Sequence, residues 1–232
     1  MDVLKKWFKS ELTGWTKWSV AWLIIATSII VGLSIYGHDN WMSFCAAVSG
    51  VWCVILTGMG KRSSFILGLI NIIFYGILSY YAKYYGEVML NFFYFLPMNI
   101  WGWFAWKKHM NEKSGEVIKR KLGLKKSVLI YALTAISIFI YGLILKKLGG
   151  NLPYMDSMST VVSVVAQILS IRRLREQWVL WIVVDVVTVI MWAVHVANHG
   201  DGVATLTMWC VYLVNACIMY GRWYRETKNH AV

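Results

Sequence analysis

The chain has 232 residues, of which 59% are apolar and only 15% charged, whereas a soluble domain carries about 25% charged residues. This composition excludes an ordinary soluble enzyme and predicts an integral membrane protein. The net charge of +12 is compatible with nucleic-acid binding. However, the basic residues cluster in particular gaps between apolar runs, so they report membrane topology and no nucleic-acid partner is expected.

The first predicted element is an amphipathic helix ahead of the first membrane span. Trp7, Phe8 and Leu12 fall on one helical face, opposite Lys5 and Lys9. That pattern is typical of a helix lying on the cytoplasmic surface of a membrane. Together with the first span, it forms a predicted amino-terminal segment, residues 1–40.

Apolar runs of membrane-spanning length then follow one another with short gaps. They predict an all-α integral membrane protein with about eight transmembrane helices. The predicted spans are residues 18–36, 41–59, 64–81, 86–106, 127–145, 154–171, 177–197 and 201–221.

The basic residues alternate between the gaps. Of the 23 Lys and Arg residues, 20 fall on one side of the membrane, and only Lys83, Lys146 and Lys147 fall on the other. Because cytoplasmic loops are enriched in Lys and Arg, this asymmetry predicts a multi-pass protein of the cell membrane with both termini in the cytoplasm.

The spacing of the spans also predicts an internal duplication. Residues 41–106 form one three-helix bundle, residues 154–232 form a second bundle with a basic tail, and residues 107–153 supply a basic cytoplasmic loop and a linker helix. Because three helices plus one linker is an even number, the bundles are predicted to be parallel (3+1+3). In such a repeat Asn71 corresponds to Asp185, and Asn99 to Asn215.

Asp185 lies near the middle of the apolar run Trp178–Ala197. A carboxylate at the centre of a lipid-embedded helix costs about 3 kcal/mol on insertion scales. Such a residue therefore usually faces an interior cavity, a partner or a substrate. This acid is the first indication of a functional site.

Five predicted spans carry polar and aromatic residues three and four positions apart, as inward faces do. Hydrogen bonds between helices are the alternative explanation for these faces. Amides, an acid and aromatic rings at adjacent turns instead indicate a cavity for a planar, polar solute, including a cationic one. The candidate substrate-binding residues are Asn71, Tyr75, Asn91, Tyr94, Asn99, Gln167, Trp181, Asp185, Trp192, Tyr212 and Asn215.

The common motifs of ATP-driven transport and hydrolase chemistry, GxxxxGK[ST], GxSxG and HExxH, are absent from the sequence. His195 and His199 have the i, i+4 spacing of metal ligands, but we interpret them as residues at the membrane interface. No catalytic residue, metal or cofactor is therefore expected. Pro97 predicts a kink or bending point inside the fourth span.

Two of the polar segments resemble a known family. The region from Gln167 through the basic turn to Asp185 resembles the "Q-x-L … W-x-x-W-x-x-x-D" region of PnuC-type nicotinamide riboside transporters. The helix containing Leu90, Asn91, Tyr94 and Pro97 resembles that family's "L-N-x-x-Y-x-x-P" helix. The likeness covers approximately residues 41–223, with Asn99 where Gln is more often expected.

The resemblance implies a fold similar to that of SWEET sugar transporters, with an extra amino-terminal helix and often a trimeric assembly. It also implies facilitated diffusion (uniport) of nicotinamide riboside across the bacterial inner membrane by alternating access around one central site. The riboside carries a fixed positive charge on an aromatic ring, a carboxamide and ribose hydroxyls, which tryptophans, amides and an acid can bind.

Four alternatives remain open at this point. The chain could transport another vitamin precursor, such as thiamine, or a sugar, although a sugar has less use for a midplane acid. It could be an intramembrane enzyme that uses Asp185 with a histidine. It could also be a channel or a structural subunit whose polar faces only hold helices together.

Overall fold

The structure is a computed structural model that describes residues 2–38, 40–81, 88–149, 153–199 and 203–229. Short helix α1 (Asp2–Leu12) precedes α2 (Lys17–Tyr36), α3 (Trp41–Met59) and α4 (Ser63–Tyr81). Helix α5 consists of a π-helical segment, Leu90–Phe95, that continues into the α-helix Leu96–Lys107. Then follow strands β1 (Met110–Asn111) and β2 (Glu116–Val117) and helices α6 (Leu124–Lys147), α7 (Pro153–Ile171), α8 (Gln177–His199) and α9 (Val203–Asn229).

The prediction of an all-α membrane protein is confirmed. Within the described residues, α2, α3, α4, α6, α7 and α8 are each long and apolar enough to cross a membrane. The regular α-helical part of α5 is short, and α9 continues into a charged tail, but both pack within the same bundle. The count of eight spans stays a prediction. Lys83, one of the three basic residues assigned to the outer side, lies outside the described residues.

Local sequence sets the helix ends. The side chain of Asn40 accepts a hydrogen bond from the Ser43 N–H at 2.9 Å and caps the start of α3. Gly60 ends that helix with a φ of 73°, a left-handed conformation that glycine adopts without a steric cost. A tight reversal into α4 follows directly.

The fourth predicted span is not a regular α-helix. Within Leu90–Phe95 the hydrogen bonds lengthen to the π pattern, and the Leu96 N–H donates to the Asn91 carbonyl, five residues back. Pro97 follows immediately and has no N–H to give to the preceding turn. The predicted irregularity at Pro97 is therefore a wider helical turn on its amino-terminal side.

The helices form two three-helix units, which pack against each other through their first and third helices. In the first unit α3 packs on α4 and α4 on α5; in the second, α7 packs on α8 and α8 on α9. Across the units, α5 packs on α7 and α9 packs on α3, so the third helix of each unit meets the first helix of the other. Helices α2 and α6 lie outside this core, against α3 and α7 respectively.

Two tryptophans make equivalent bonds across this exchange. The Trp106 indole on α5 donates to the carbonyl of Ser170 on α7 at 3.1 Å. The Trp223 indole on α9 donates to the carbonyl of Gly58 on α3 at 2.7 Å. Ser170 and Gly58 are each the last residue but one of their helices. Such paired contacts are what a parallel duplication produces, although the exact domain boundaries stay a prediction.

The basic loops meet on one face of the bundle, around Lys61. This lysine is completely buried, and its ammonium donates to the carbonyls of Ser10, Thr13, Ser114 and Gly115 at 2.5 to 3.4 Å. Burial lowers the pKa of Lys61, and the carboxylates of Glu116 and Glu11 oppose that shift. One side chain thus joins the segment after α1 to the α3–α4 turn and the β1–β2 loop.

A charged quartet continues this face. Glu116 binds Lys119 at 2.8 Å and Arg222 at 2.7 Å, and Glu226 binds both cations as well. The loop after α5 therefore carries a small hairpin tied to the end of α9, where only a basic loop was predicted. Both described ends of the chain lie on this basic face.

Candidate functional site

A cavity of about 950 Å³ lies between the two units. Helices α3 to α9 all contribute to its wall, and the linker helix α6 adds Tyr141 and Leu145 near one end. Ligand cavities in proteins commonly measure 300 to 1,000 Å³. The space is sufficient for a molecule of nucleoside size.

Three polar residues reach the cavity at one depth. Asn71, Asn99 and Asp185 lie on α4, α5 and α8, each eight residues from the end of its helix at the basic face. At 1.5 Å per residue, each is about 12 Å into the bundle. All three line the cavity. The predicted inward faces therefore converge at a level near the middle of the membrane.

A glycine on α3 makes room for the polar groups at this level. A Cβ atom on Gly50 would lie only 2.0 Å from the Tyr212 hydroxyl and 2.7 Å from the Asn71 amide nitrogen. The Asn71 amide also donates to the Ala46 carbonyl at 2.8 Å, which fixes its orientation. Any larger residue at position 50 would push the phenol and the amide apart.

Asp185 is the exceptional group on the wall. Its side chain is 4% exposed, and it has no hydrogen-bond or ion-pair partner among the described residues. A buried carboxylate normally has a cation or several donors around it, because its desolvation is otherwise uncompensated. The missing partner is best supplied by a molecule in the cavity.

The side-chain amides already make some hydrogen bonds within the protein. Asn99 donates to the Phe95 carbonyl at 2.9 Å. Asn215 donates to the Val54 carbonyl and accepts the Trp22 indole N–H, both at 3.1 Å. Each amide group has two donor hydrogens and a two-lone-pair oxygen, so these bonds leave further capacity. Asn215 nevertheless links α2, α3 and α9 through these bonds. Such links are what the alternative explanation, hydrogen bonding between helices, predicts for a polar residue in the bundle.

Aromatic rings surround the polar level. Of the predicted ring contacts, Trp181, Trp192 and Tyr212 line the cavity, and so does the further candidate binding residue Tyr75. Trp178 and Trp209 line it too, and each has a buried indole N–H without a partner among the described residues. The cavity thus offers flat apolar ring surfaces beside the polar groups, as a polar ring system requires.

Ten of the eleven predicted residues line this one cavity, and Tyr94 does not. The cavity-lining predictions include Asn91 and Gln167, both buried. The Tyr94 hydroxyl instead donates to the Val164 carbonyl on α7 at 2.7 Å. Its ring therefore joins α5 to α7, and its position gives no support to a direct role in binding.

One acidic residue of the cavity wall was not among the residues predicted from the sequence. Asp156 lies in the first turn of α7, at the far end of the cavity from the basic face. The signal was present, because Asp156, Thr160, Ser163 and Gln167 are spaced by four, three and four residues and share one helical face. Extending that inward face by one turn finds the acid.

The prediction that His195 and His199 lie at the membrane interface is not tested, because their side chains lie outside the described residues. Among the side chains that are described, no three of His, Cys, Asp and Glu come together as metal ligands would. Asp185 is the described carboxyl group at the middle depth of the cavity.

A multi-pass helical protein that encloses a polar, aromatic cavity between two packed units has the architecture of a membrane transporter. Comparison with known proteins identifies the class more narrowly. Residues 40–225 match the family described as nicotinamide mononucleotide transporter. Since this match covers most of the chain, the protein belongs to that family.

Named relatives agree with this assignment. The nicotinamide riboside transporter PnuC of Neisseria mucosa is 37% identical over 231 residues, which are 97% of this chain and 88% of that protein. PnuC of Haemophilus influenzae is 29% identical and covers 94% of both chains. A crystal structure of the vitamin B3 transporter PnuC superposes with a TM-score of 0.85 at 37% identity, over 97% of this chain and 98% of that one.

Proposed function

We propose that this protein carries unphosphorylated nicotinamide riboside across the bacterial inner membrane by uniport, with alternating access around the cavity. The observation that carries the proposal is Asp185, a buried carboxylate on the cavity wall that lacks a cationic partner among the described residues. The fixed positive charge of the nicotinamide ring supplies such a partner and offsets the desolvation of the acid. A sugar offers no such charge.

The charge of the wall favours the riboside over the mononucleotide. Asp156 and Asp185 both line the cavity, whereas no Lys or Arg does so within the described part of the chain. A phosphate group binds through cationic side chains or clustered N–H donors. A bound mononucleotide would instead place its phosphate among carboxylates and apolar rings.

The proposed binding site comprises the ring contacts Trp181, Trp192, Tyr75 and Tyr212 and the amides Asn71, Asn91, Asn99, Gln167 and Asn215, with Asp185 facing the ring charge. Basic loops on the face around Lys61 support a cytoplasmic location for both termini. A homo-trimer, which the family resemblance implies, is the proposed assembly. The molar mass of the purified protein in detergent tests that assembly directly.

Equilibrium binding in detergent tests the substrate. We expect nicotinamide riboside to quench tryptophan fluorescence saturably, and the mononucleotide to bind about a hundredfold more weakly because its phosphate has no cationic partner. Thiamine and glucose serve as comparison ligands. Equal affinity for riboside and mononucleotide would contradict the proposal, and tighter binding of thiamine or glucose would support the related vitamin or sugar alternatives.

Counterflow in sealed vesicles tests the mechanism. Unlabelled riboside inside the vesicles should accelerate the entry of labelled riboside, because an alternating-access carrier returns loaded. Collapse of the proton and sodium gradients should leave this exchange unchanged if transport is uniport. Entry that does not respond to internal riboside indicates a channel, and a chemically altered riboside in detergent solution indicates an enzyme.

A further inference from the structure

Among the described residues, two carboxylates line the cavity, and they lie at different depths. Asp185 is eight residues from Gln177, where α8 begins at the basic face, and Asp156 is fifteen residues from Ile171, where α7 ends at the same face. At 1.5 Å per residue these positions are about 12 Å and about 22 Å from that face. Asp156 therefore lies about 10 Å farther out, at the opposite end of the cavity.

No described residue pairs with the Asp156 side chain. Among the described residues it makes no hydrogen bond or ion pair, and it is exposed at the cavity end. Lys146 and Lys147 end α6 on this side, but both are exposed and neither lines the cavity. The acid can stabilise the first turn of α7 through the helix dipole. That role alone does not require a position on the cavity wall.

A continuous polar face connects the two depths. From Asp156 it runs through Thr160 and Ser163 to Gln167, and each of these side chains lines the cavity. A cation that enters at the outer end meets Asp156 first and then passes along hydroxyls toward the level of Asp185. A negative charge at this end of the cavity raises the local concentration of cations.

We infer that Asp156 is an outer capture residue, which attracts cationic aromatic substrates to the cavity and so discriminates by charge before they reach Asp185. This inference rests on the proposed function for the identity of the substrate. It assigns the two acids separate kinetic roles. Asp156 sets the association rate, whereas Asp185 holds the bound ring and sets the dissociation rate.

Stopped-flow binding of nicotinamide riboside, followed by tryptophan fluorescence, separates these roles. At low salt, Asp156→Asn should lower the association rate constant about threefold, as expected for two unit charges about 7 Å apart in water. The difference should disappear in 1 M salt, where the screening length is about 3 Å. The dissociation rate should not change, and Asp156→Glu should keep the wild-type rate.

The reduced, uncharged dihydronicotinamide riboside is the matched ligand control. Its association rate should be the same in the wild type and in Asp156→Asn. An equal loss for both ligands, or an unchanged rate for the charged riboside at low salt, overturns the inference and leaves Asp156 as a helix-stabilising residue. If wild-type protein does not bind the riboside at all, the proposed substrate fails, and a second measurement still tests Asp156.

That second measurement needs no substrate. Ser159 lies three residues after Asp156 and also lines the cavity. In a background with the four native cysteines replaced by alanine, Ser159→Cys is treated with a cationic and with a neutral thiosulfonate. The ratio of the cationic to the neutral reaction rate should be about threefold higher when Asp156 is present than in Asp156→Asn. The ratio is the quantity compared, because a neighbouring carboxylate also lowers the thiolate fraction of the thiol, and it does so equally for both reagents. The same ratio in both backgrounds would show that Asp156 creates no attractive field there.

Discussion

Trp106 and Trp223 occupy equivalent positions in the two units. Both indoles are fully buried, and each donates to the carbonyl one residue before the end of the other unit's first helix. We expect Trp106→Phe and Trp223→Phe each to lower the free energy of unfolding by about 1 kcal/mol, through loss of one buried hydrogen bond.

Thermal unfolding in detergent, followed by circular dichroism, measures these losses. In the double variant the free energy of unfolding should fall by the sum of the two single losses, because the two hydrogen bonds have no residue in common. Trp101→Phe is the control, since that tryptophan is more than half exposed on α5. An unchanged melting temperature in both buried variants would contradict the structural role of the paired bonds.

Asp185→Asn should weaken binding of nicotinamide riboside at least tenfold, because a charge pair in a partly buried site is worth a few kcal/mol. Binding of the uncharged dihydronicotinamide riboside should change far less. Calorimetric titration of both ligands measures the difference. Equal losses for the two ligands would reduce Asp185 to a structural residue.

Trp181→Ala should raise the dissociation constant of the riboside about tenfold, if the lost ring contact contributes about 1.4 kcal/mol. Trp181→Phe should recover part of that affinity, because a phenyl ring keeps a flat apolar face. The same fluorescence titration reports both. Wild-type affinity in the alanine variant would remove Trp181 from the binding site.

Lys61→Met should destabilise the folded protein by about 3 kcal/mol, because four carbonyls around this buried side chain lose their donor. Lys108→Met removes an exposed lysine from the same face and should have little effect. Unfolding in a denaturant series compares the two. Equal stability of the variants would show that the ammonium does not hold these loops together.

The charged quartet predicts sensitivity to acid. Burial opposes ionisation of Glu226, but Lys119 and Arg222 lower the pKa of this carboxyl below its ordinary value of 4.5. Its contribution to stability is therefore complete above about pH 4.5 and is lost as the pH falls through the lowered pKa.

Melting temperatures between pH 7 and pH 3.5 test this linkage. Glu226→Gln should have a lower melting temperature than the wild type at pH 7. Its melting temperature should also fall less than that of the wild type between pH 7 and pH 3.5. Glu112→Gln, at an exposed position in the hairpin loop, is the control and should follow the wild type. A parallel decline of wild type and Glu226→Gln would exclude Glu226 as the source.

Periodicity predicted the cavity wall well because a membrane leaves little choice. Polar side chains such as Asn71 and Asp185 cannot face lipid without a large cost, so their common helical face had to point inward. The same logic would have found Asp156, which continues the inward face of α7. Composition and spacing were sufficient for these residues.

The direction of Tyr94 could not be predicted in this way. It lies within the π-helical segment Leu90–Phe95, where each turn holds more residues and the 3.6-residue spacing no longer applies. The contacts of Lys61 could not be predicted from the sequence either. They join backbone carbonyls at residues 10 and 115, far apart in the chain, and no side-chain pattern marks a carbonyl as a partner.

The exchange of third helices has a consequence for the two halves of the chain. Since α5 packs against α7 and α9 against α3, the cavity is enclosed by helices from both halves of the chain. Either half of the chain expressed alone would have no enclosed cavity, and its third helix would lack the helix of the other half against which it packs. The proposed alternating access is therefore expected to slide these two contacts rather than to separate two self-sufficient domains.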